Sequence, residues 1–334
     1  MVRLVRVTRQ DLTITRCHKG KRIVNCDQEG NPVTDGATMA RIESLAIPPA
    51  WTNVRIAPNP RAHIQALGTD DAGRDQYIYH PDWEKRRISK KQQRLALLTQ
   101  VLPKLRRKVA DDLSARAGSQ RLALALAVTL IDRTAMRVGR EAYLAANGTR
   151  GAGTLFARDV TVKGAAVHVA FRAKGGKRAE YSIVDAKLAN AVTRIRRLKG
   201  RRLLVYRDKT GNIRPLKTSA INLYLRELTG ESIAAKDFRT LHASALAGEA
   251  LAGLEVGTSI SARRRQMAEV TRDVAAVLRN TPMICRKSYI APCLFRLFDE
   301  GKLQKIWAAG GSARAGLYQR EQRLGAILAA TSEA

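Results

Sequence analysis

Gln76-Tyr-Ile-Tyr-His-Pro-Asp-Trp-Glu-Lys-Arg-Arg87 is where the chain changes its spelling. Upstream, short alternating stretches such as Leu12-Thr-Ile-Thr15 and Gln76-Tyr-Ile-Tyr79 are separated by Gly30-Asn-Pro32, Asp35-Gly36, Pro48-Pro49, Pro58-Asn-Pro60 and Asp71-Ala-Gly73. Alternation bounded by Gly, Pro, Asn and Asp is the pattern of half-buried strands and tight turns. Downstream, apolar residues recur at three- and four-residue intervals over 92–115, 122–146, 187–198, 217–228, 241–254, 262–278 and 319–330. That period lines one face of a helix. One interruption falls at 159–184, where Val167-His-Val-Ala-Phe-Arg-Ala173 and Arg178-Ala-Glu-Tyr-Ser-Ile-Val184 flank Lys174-Gly-Gly-Lys177. Two glycines able to take positive φ between two alternating runs predict a β-hairpin. The expected class is α+β: a small, mainly antiparallel β domain over 1–88 and a larger, mainly helical domain over 89–334 that carries the hairpin. Gly310-Gly-Ser-Ala-Arg-Ala-Gly316 reads as a joint before the last helix.

Charge follows the same division. The 334 residues hold 60 Lys plus Arg against 29 Asp plus Glu, a formal net charge of +31. Residues 1–88 account for only +4 of it and the remainder for +27. A surplus of that size repels itself and is relieved by a polyanion, so a polyanionic partner is expected. Apolar residues at 45 % exclude a wholly disordered chain. The longest nearly apolar run, Leu122 to Ile131, is half a bilayer span, and Met1-Val-Arg-Leu-Val-Arg6 lacks the apolar core of a signal peptide. Membrane and secretory readings are therefore set aside for a cytoplasmic, nucleoid-associated one. Cys17, Cys26, Cys285 and Cys293 match neither a zinc pattern nor a disulfide framework, and buried or indifferent thiols are the reading preferred to the metal one that Cys17-His18 with Cys26 invites.

No Gly-x-x-x-x-Gly-Lys-Ser/Thr loop is present for nucleotide phosphates, and no compact set of carboxylates suggests two-metal hydrolysis. Cleavage of a phosphodiester without a metal needs an in-line nucleophile, fixed positive charge on the equatorial oxygens, and a proton donor for the departing sugar oxygen. Arg meets the second need because its planar fork grips two oxygens and stays charged. A Lys among other cations meets the third. A Tyr nucleophile would hold the bond energy in a covalent ester and leave readily on the return step. Four segments carry these residue types: 131–143 with Arg137 on an expected helix, the hairpin with Lys174, Lys236-Asp-Phe-Arg-Thr-Leu-His242 with Arg239, and Leu278-Arg-Asn-Thr-Pro-Met-Ile-Cys-Arg-Lys-Ser-Tyr-Ile290 with Asn280 and Tyr289. Pro282 is expected to break the helix between the last two, leaving them on separate elements.

Over nearly its whole length the sequence resembles the type IB DNA topoisomerases of the poxvirus and bacterial branch. The resemblance rests on Arg137-Val-Gly-Arg-Glu-Ala-Tyr143 followed by Asn147-Gly-Thr149 and Thr154-Leu155, on Lys236-Asp-Phe-Arg-Thr240, and on Asn280-Thr-Pro-Met-Ile-Cys-Arg-Lys-Ser-Tyr-Ile290. In the first domain it rests on Ile47-Pro-Pro-Ala-Trp-Thr-Asn-Val54, Pro58-Asn-Pro60 and Gly73-Arg-Asp-Gln-Tyr-Ile-Tyr-His80. It implies a monomeric, C-shaped clamp on duplex DNA that relaxes positive and negative supercoils with no ATP, metal or other cofactor. It also implies Tyr289 as nucleophile forming a 3′-phosphotyrosine, Arg137 and Arg239 on the scissile phosphate, and Lys174 as proton donor to the 5′ oxygen. Asn280 stands where the poxvirus members have His; an amide N–H replaces that side chain as a hydrogen-bond donor but not as a proton donor. Gln76, Tyr77 and Tyr79 match positions that meet the DNA groove, and Arg140 and Tyr143 match phosphate-side contacts.

Taken without the resemblance, the same residues have plainer readings. Arg137 would pair with Glu141 one helical turn on, Tyr77 and Tyr79 would be a packed pair on one strand face, and His80, His168 and His242 show no partner pattern. A tyrosine recombinase shares the cleavage chemistry, but the β spelling of the first domain and the Thr-Leu after Arg239 argue against it. A non-catalytic basic DNA-binding protein accounts for the charge and not for the spacing of the four segments.

Overall fold

A computed structural model describes residues 3–19 and 22–332, and its internal contacts divide the chain into the units Met1–Lys91 and Gln92–Ala334. The first unit is built on β1 (Ile14–Lys19), β2 (Arg22–Cys26), β3 (Thr52–Ile56), β4 (Ile64–Thr69) and β5 (Asp75–Tyr79), with α1 (Gly36–Ser44) between β2 and β3. The five strands form one antiparallel sheet in the order β2-β1-β3-β4-β5. Helix α1 departs from the strand-and-turn expectation for this region. Asp35, read as a turn residue, is its N-cap, and its carboxylate accepts from the Thr38 N–H at 2.8 Å. Ile42 of α1 packs with Ile14, Val54, Ile56 and Ala66 in a small core. Gly68 on β4 is required by close approach, because a Cβ there would lie 2.8 Å from the Trp51 ring. Strand β5 is the sheet's edge, with Leu67 of β4 opposite Tyr77.

Helix α2 (Pro81–Asp112) starts in the first unit and runs into the second, eleven residues earlier than its apolar period suggests. The N–H of Asp82 donates to His80 Nδ1 at 3.1 Å at its start. In the second unit α3 (Gln120–Thr134) is the central rod, buried on every side from Leu122 to Asp132. Short α4 (Glu141–Asn147) follows, then the antiparallel sheet β6 (Val160–Lys163), β7 (Ala166–Arg172) and β8 (Arg178–Val184). Strands β7 and β8 are the expected hairpin; β6 extends it to three strands. Next come α5 (Ala186–Arg196), an unforeseen small hairpin of β9 (Val205–Arg207) and β10 (Ile213–Pro215), and α6 (Thr218–Thr229). Helices α7 (Ala235–Ala252), α8 (Ile260–Val277), α9 (Pro282–Ser288), α10 (Pro292–Asp299), α11 (Leu303–Ala309) and α12 (Gln319–Ser332) complete the unit.

The segment beyond Gly310 folds onto this body. Leu324, Ile327 and Leu328 of α12 are fully buried in the large core. Arg106 of α2 ties that helix down, donating through Nε to Asp132 at 2.8 Å and through Nη1 to Glu321 at 2.7 Å. A guanidinium between two carboxylates, with its hydrogen bonds filled, is the form in which buried charge is tolerated. No helix of the described residues is long and apolar enough to cross a membrane.

Candidate functional site

The helix expected over 122–146 is broken in the middle. Ala135 enters the left-handed region at φ 52°, and residues 135–140 leave the helix as an extended connection to α4. Arg137 therefore lies on that connection and not on a helix. The cause is a contact from further along the chain: the N–H groups of Ala152 and Gly153 donate to the carbonyls of Arg137 and Val138 at 2.9 and 2.7 Å. Such proximity needs glycine on both sides. A Cβ on Gly151 would sit 2.2 Å from the Arg137 carbonyl oxygen, and one on Gly139, at φ +81°, would sit 2.3 Å from Thr154 Oγ1. The expected Arg137–Glu141 pair is also absent. Glu141 instead receives a forked pair of hydrogen bonds from Arg202, both 2.9 Å.

Arg239, in the second turn of α7, is 4 % exposed. Its Nη1 donates to the carbonyl of Ala135 and its Nη2 to that of Leu278 at 2.9 Å, each acceptor two residues before a candidate site residue, Arg137 and Asn280. Its guanidinium carbon lies 5.0 Å from the centre of the Tyr289 ring. The same helix fixes the tyrosine's backbone: Ser244, fully buried, donates to the Tyr289 carbonyl at 3.1 Å and accepts from the Ala291 N–H at 3.0 Å. Asn280 and Tyr289 flank the two ends of one short helix, α9, in place of the separate elements expected, and Pro282 is not what ends the preceding helix. Helix α8 stops at Val277, the backbone turns at Arg279 (φ 51°), and Pro282 opens α9 behind the N-cap Thr281.

Three donors in this corner lack partners. Arg137 makes no side-chain hydrogen bond or ion pair among the described residues, and Arg239 Nε and Asn280 Nδ2 are buried without an acceptor. Burial pushes the Arg137 guanidinium below its usual range, and repulsion from Arg239 adds to it, against attraction from Tyr289 and Tyr181. Each unpaired buried donor costs about 1–3 kcal/mol, and two like charges held together cost more. An oxyanion between them would remove both penalties.

Lys174 is exposed at the head of the β7–β8 turn, where Gly175 and Gly176 take φ 76° and 75°, and its side chain is not hydrogen-bonded to Tyr289, Arg137 or Arg239. Its hairpin is nevertheless stitched to the site by a residue outside the sequence-based candidates. Arg279 donates to the carbonyls of Arg178 and Glu180 on β8, 2.8 Å each, and lies 5.2 Å from the centre of the Tyr181 ring. Arg140 is the exposed residue before α4, and Tyr143 on that helix is 56 % exposed. In the first unit Tyr77 and Tyr79 stack at 6.0 Å on the outer face of β5, Arg87 covers Tyr79 at 4.9 Å, and Gln76 donates to Asp70 at 2.8 Å. His242 is partly buried, with Nε2 against the Asp132 carbonyl. The side chain of His18 lies outside the described residues, among which no group of three or more His, Cys, Asp and Glu is placed to hold a metal.

Residues 81–292 match the family model described as eukaryotic DNA topoisomerase I, catalytic core. The chain belongs to the type IB DNA topoisomerases. Residues 25–70 match the N-terminal domain of bacterial DNA topoisomerase IB, which places the chain on the bacterial and viral branch. A relative, the DNA topoisomerase 1B of Acanthamoeba polyphaga mimivirus, is 28 % identical over 293 residues, covering 86 % of this chain and 87 % of that protein. Membership makes the chain an isomerase that acts on DNA topology.

Proposed function

We propose that this type IB topoisomerase relaxes positive and negative supercoils by nicking one strand of duplex DNA through Tyr289 and resealing it after rotation. The Tyr289 oxygen attacks the scissile phosphorus in line as its proton passes to solvent. The bond from phosphorus to the 5′ oxygen breaks, that oxygen takes a proton from Lys174, and a 3′-phosphotyrosine remains. Resealing is the reverse: the 5′ hydroxyl attacks, Lys174 recovers its proton and the phenol departs. One diester is exchanged for another, so the energy for resealing stays in the covalent link and the driving force is superhelical strain. Arg137 and Arg239 hold the non-bridging oxygens, and Asn280 donates a hydrogen bond to one of them.

The observation that carries this reading is the gathering of Arg137 and Arg239, each with an unpartnered donor, at the Tyr289 ring, with the unpartnered Asn280 amide two residues beyond the Leu278 carbonyl that Arg239 grips. Arg279 is a positioning residue that holds the Lys174 hairpin against this corner. Gln76, Tyr77 and Tyr79 are proposed to meet a DNA groove, and Arg140 and Tyr143 to contact phosphates on the strand being cut.

Relaxation of positively and negatively supercoiled plasmid in EDTA tests the reading, with SDS trapping of labelled duplex beside it. The wild-type chain should relax both and leave a trapped adduct. Tyr289→Phe should do neither while still retarding DNA; an adduct formed by that variant would overturn the assignment.

A further inference from the structure

Against α4 lies a cleft of about 560 Å³, five of whose nine lining residues are arginines. Its floor is Phe156, 5 % exposed, with Arg150, Arg158 and Arg201 at 4.8, 5.3 and 4.6 Å from the ring centre. Arg172 and Arg202 also line it. Two of the five are already neutralised, Arg150 by Asp159 at 2.7 Å and Arg202 by Glu141. Arg158, Arg172 and Arg201 have no hydrogen bond or ion pair from their side chains among the described residues, and all three are exposed.

Solubility alone scatters cations over a surface; it does not gather three unpaired ones in one cleft, two of them over the same aromatic ring. Arg158 and Arg201 lie over Phe156 with their N–H groups free of protein acceptors among the described residues. A guanidinium left without a protein acceptor has its planar fork available to grip phosphate oxygens in pairs. The cleft also adjoins the proposed cleavage site through the backbone. The Arg150 N–H donates to the Arg172 carbonyl at 2.8 Å, Arg172 precedes Lys174 by two residues, and Ala152 donates to the Arg137 carbonyl.

We propose that Arg158, Arg172 and Arg201 form a second phosphate-binding station, which grips backbone phosphates of the duplex flanking the one that is cut. This rests on the DNA-cleaving reading above. The continuity with Arg137 and Lys174 favours a backbone phosphate of the bound duplex over a free polyphosphate, which would have no reason to sit there. The station carries no sequence information, because it meets only phosphates.

The test is the salt dependence of equilibrium binding to a fluorescent duplex, in the non-cleaving Tyr289→Phe background. Three chains are compared, with positions 158, 172 and 201 intact, all Gln, or all Lys. The Gln chain should lower the slope of log K against log salt by about 2 to 3, at about 0.9 for each phosphate no longer neutralised. The Lys chain should keep the slope, since an ammonium still neutralises a phosphate as a point charge. Each single Gln variant should lower it by about 1, which preserves the test if the triple variant fails to fold. Equal slopes in the intact and Gln chains overturn the proposal. Inorganic tripolyphosphate is titrated in parallel: its binding abolished in the Gln chain with the DNA slope unchanged would assign the cleft to a free polyphosphate and overturn the DNA assignment. Adduct trapping with wild-type Tyr289 keeps the two readings apart. A trapped adduct with unchanged slopes defeats the station alone, whereas no adduct defeats the cleavage reading and leaves the slopes to judge the station.

Discussion

Arg279→Ala removes the tether between the Asn280 corner and the Lys174 hairpin. It deletes two hydrogen bonds to the carbonyls of Arg178 and Glu180, together with the cation–π interaction at the Tyr181 ring. Charge-assisted bonds to a backbone carbonyl are worth about 1.5–3 kcal/mol when buried. Both of these face solvent, so about 0.75 kcal/mol each, with about 0.5 kcal/mol for the exposed cation–π pair, gives about 2 kcal/mol. If all of it holds the hairpin in place, the docked population and the single-turnover cleavage rate fall by about 30-fold. The decisive assay replaces the 5′-bridging oxygen of a labelled duplex with sulfur, which leaves without a proton. Arg279→Ala should then cleave within about 2-fold of wild type, as should Lys174→Ala, because both lesions act on proton delivery. Arg279→Lys, with one ammonium in place of a fork, should show a partial loss on the oxygen substrate. Equal slowing of Arg279→Ala on the two substrates would refute the reasoning and make Arg279 a general brace of the fold.

Arg137→Ala should lower the cleavage rate by about 10²–10³, the scale for one preorganised donor, while leaving the thermal midpoint unchanged or raised because burial and repulsion from Arg239 are relieved; a clear fall in midpoint by scanning fluorimetry would mean Arg137 has a structural partner. Gly151→Ala places a methyl against the Arg137 carbonyl and the Gly139 nitrogen, both backbone, and should cost about 3 kcal/mol in urea unfolding and most of the activity; a variant as stable as wild type would show that the 135–140 connection yields easily. Burial depresses His242 below its ordinary value of 6.5, so the unfolded chain takes the proton first and stability falls as pH drops through 6.5. Replacing it with Phe should flatten that part of the curve, read as urea midpoints at pH values of about 7.5 and 5.5; an unchanged slope would assign the loss to other groups.

The pattern of apolar residues is enough to find the long helices, because a helix that buries one stripe must repeat it every three to four positions. It fails at Ala135 for a physical reason. The apolar period runs on to 146, and the break is imposed by Gly151 and Thr154, which lie beyond it and meet Gly139 only in the folded chain. Strands β9 and β10 are three residues each, too short for alternation to register. Asp35 is conspicuous in the sequence but ambiguous in role, since a carboxylate before a glycine serves equally as turn or helix cap. Of the candidate site, Arg239 lies over the Tyr289 ring, Arg137 is close enough to feel the charge of Arg239 and Tyr289, and Asn280 follows by two residues the Leu278 carbonyl that Arg239 grips. Arg279 escapes a reading of the sequence because its acceptors lie 99 and 101 residues away, and an arginine after a helix has no local signature of that reach.

Ser244 has a mechanical meaning. Because α7 carries Arg239 and also clasps the main chain on either side of Ile290, the tyrosine and its arginine ride on one rod and are displaced together or not at all. On the proposed mechanism, a swivelling strand would pull on its ester without dragging the phenol away from the guanidinium proposed to help close it. Any slack that such a rotation required would then be found elsewhere, and the broken end would stay moored to its own repair.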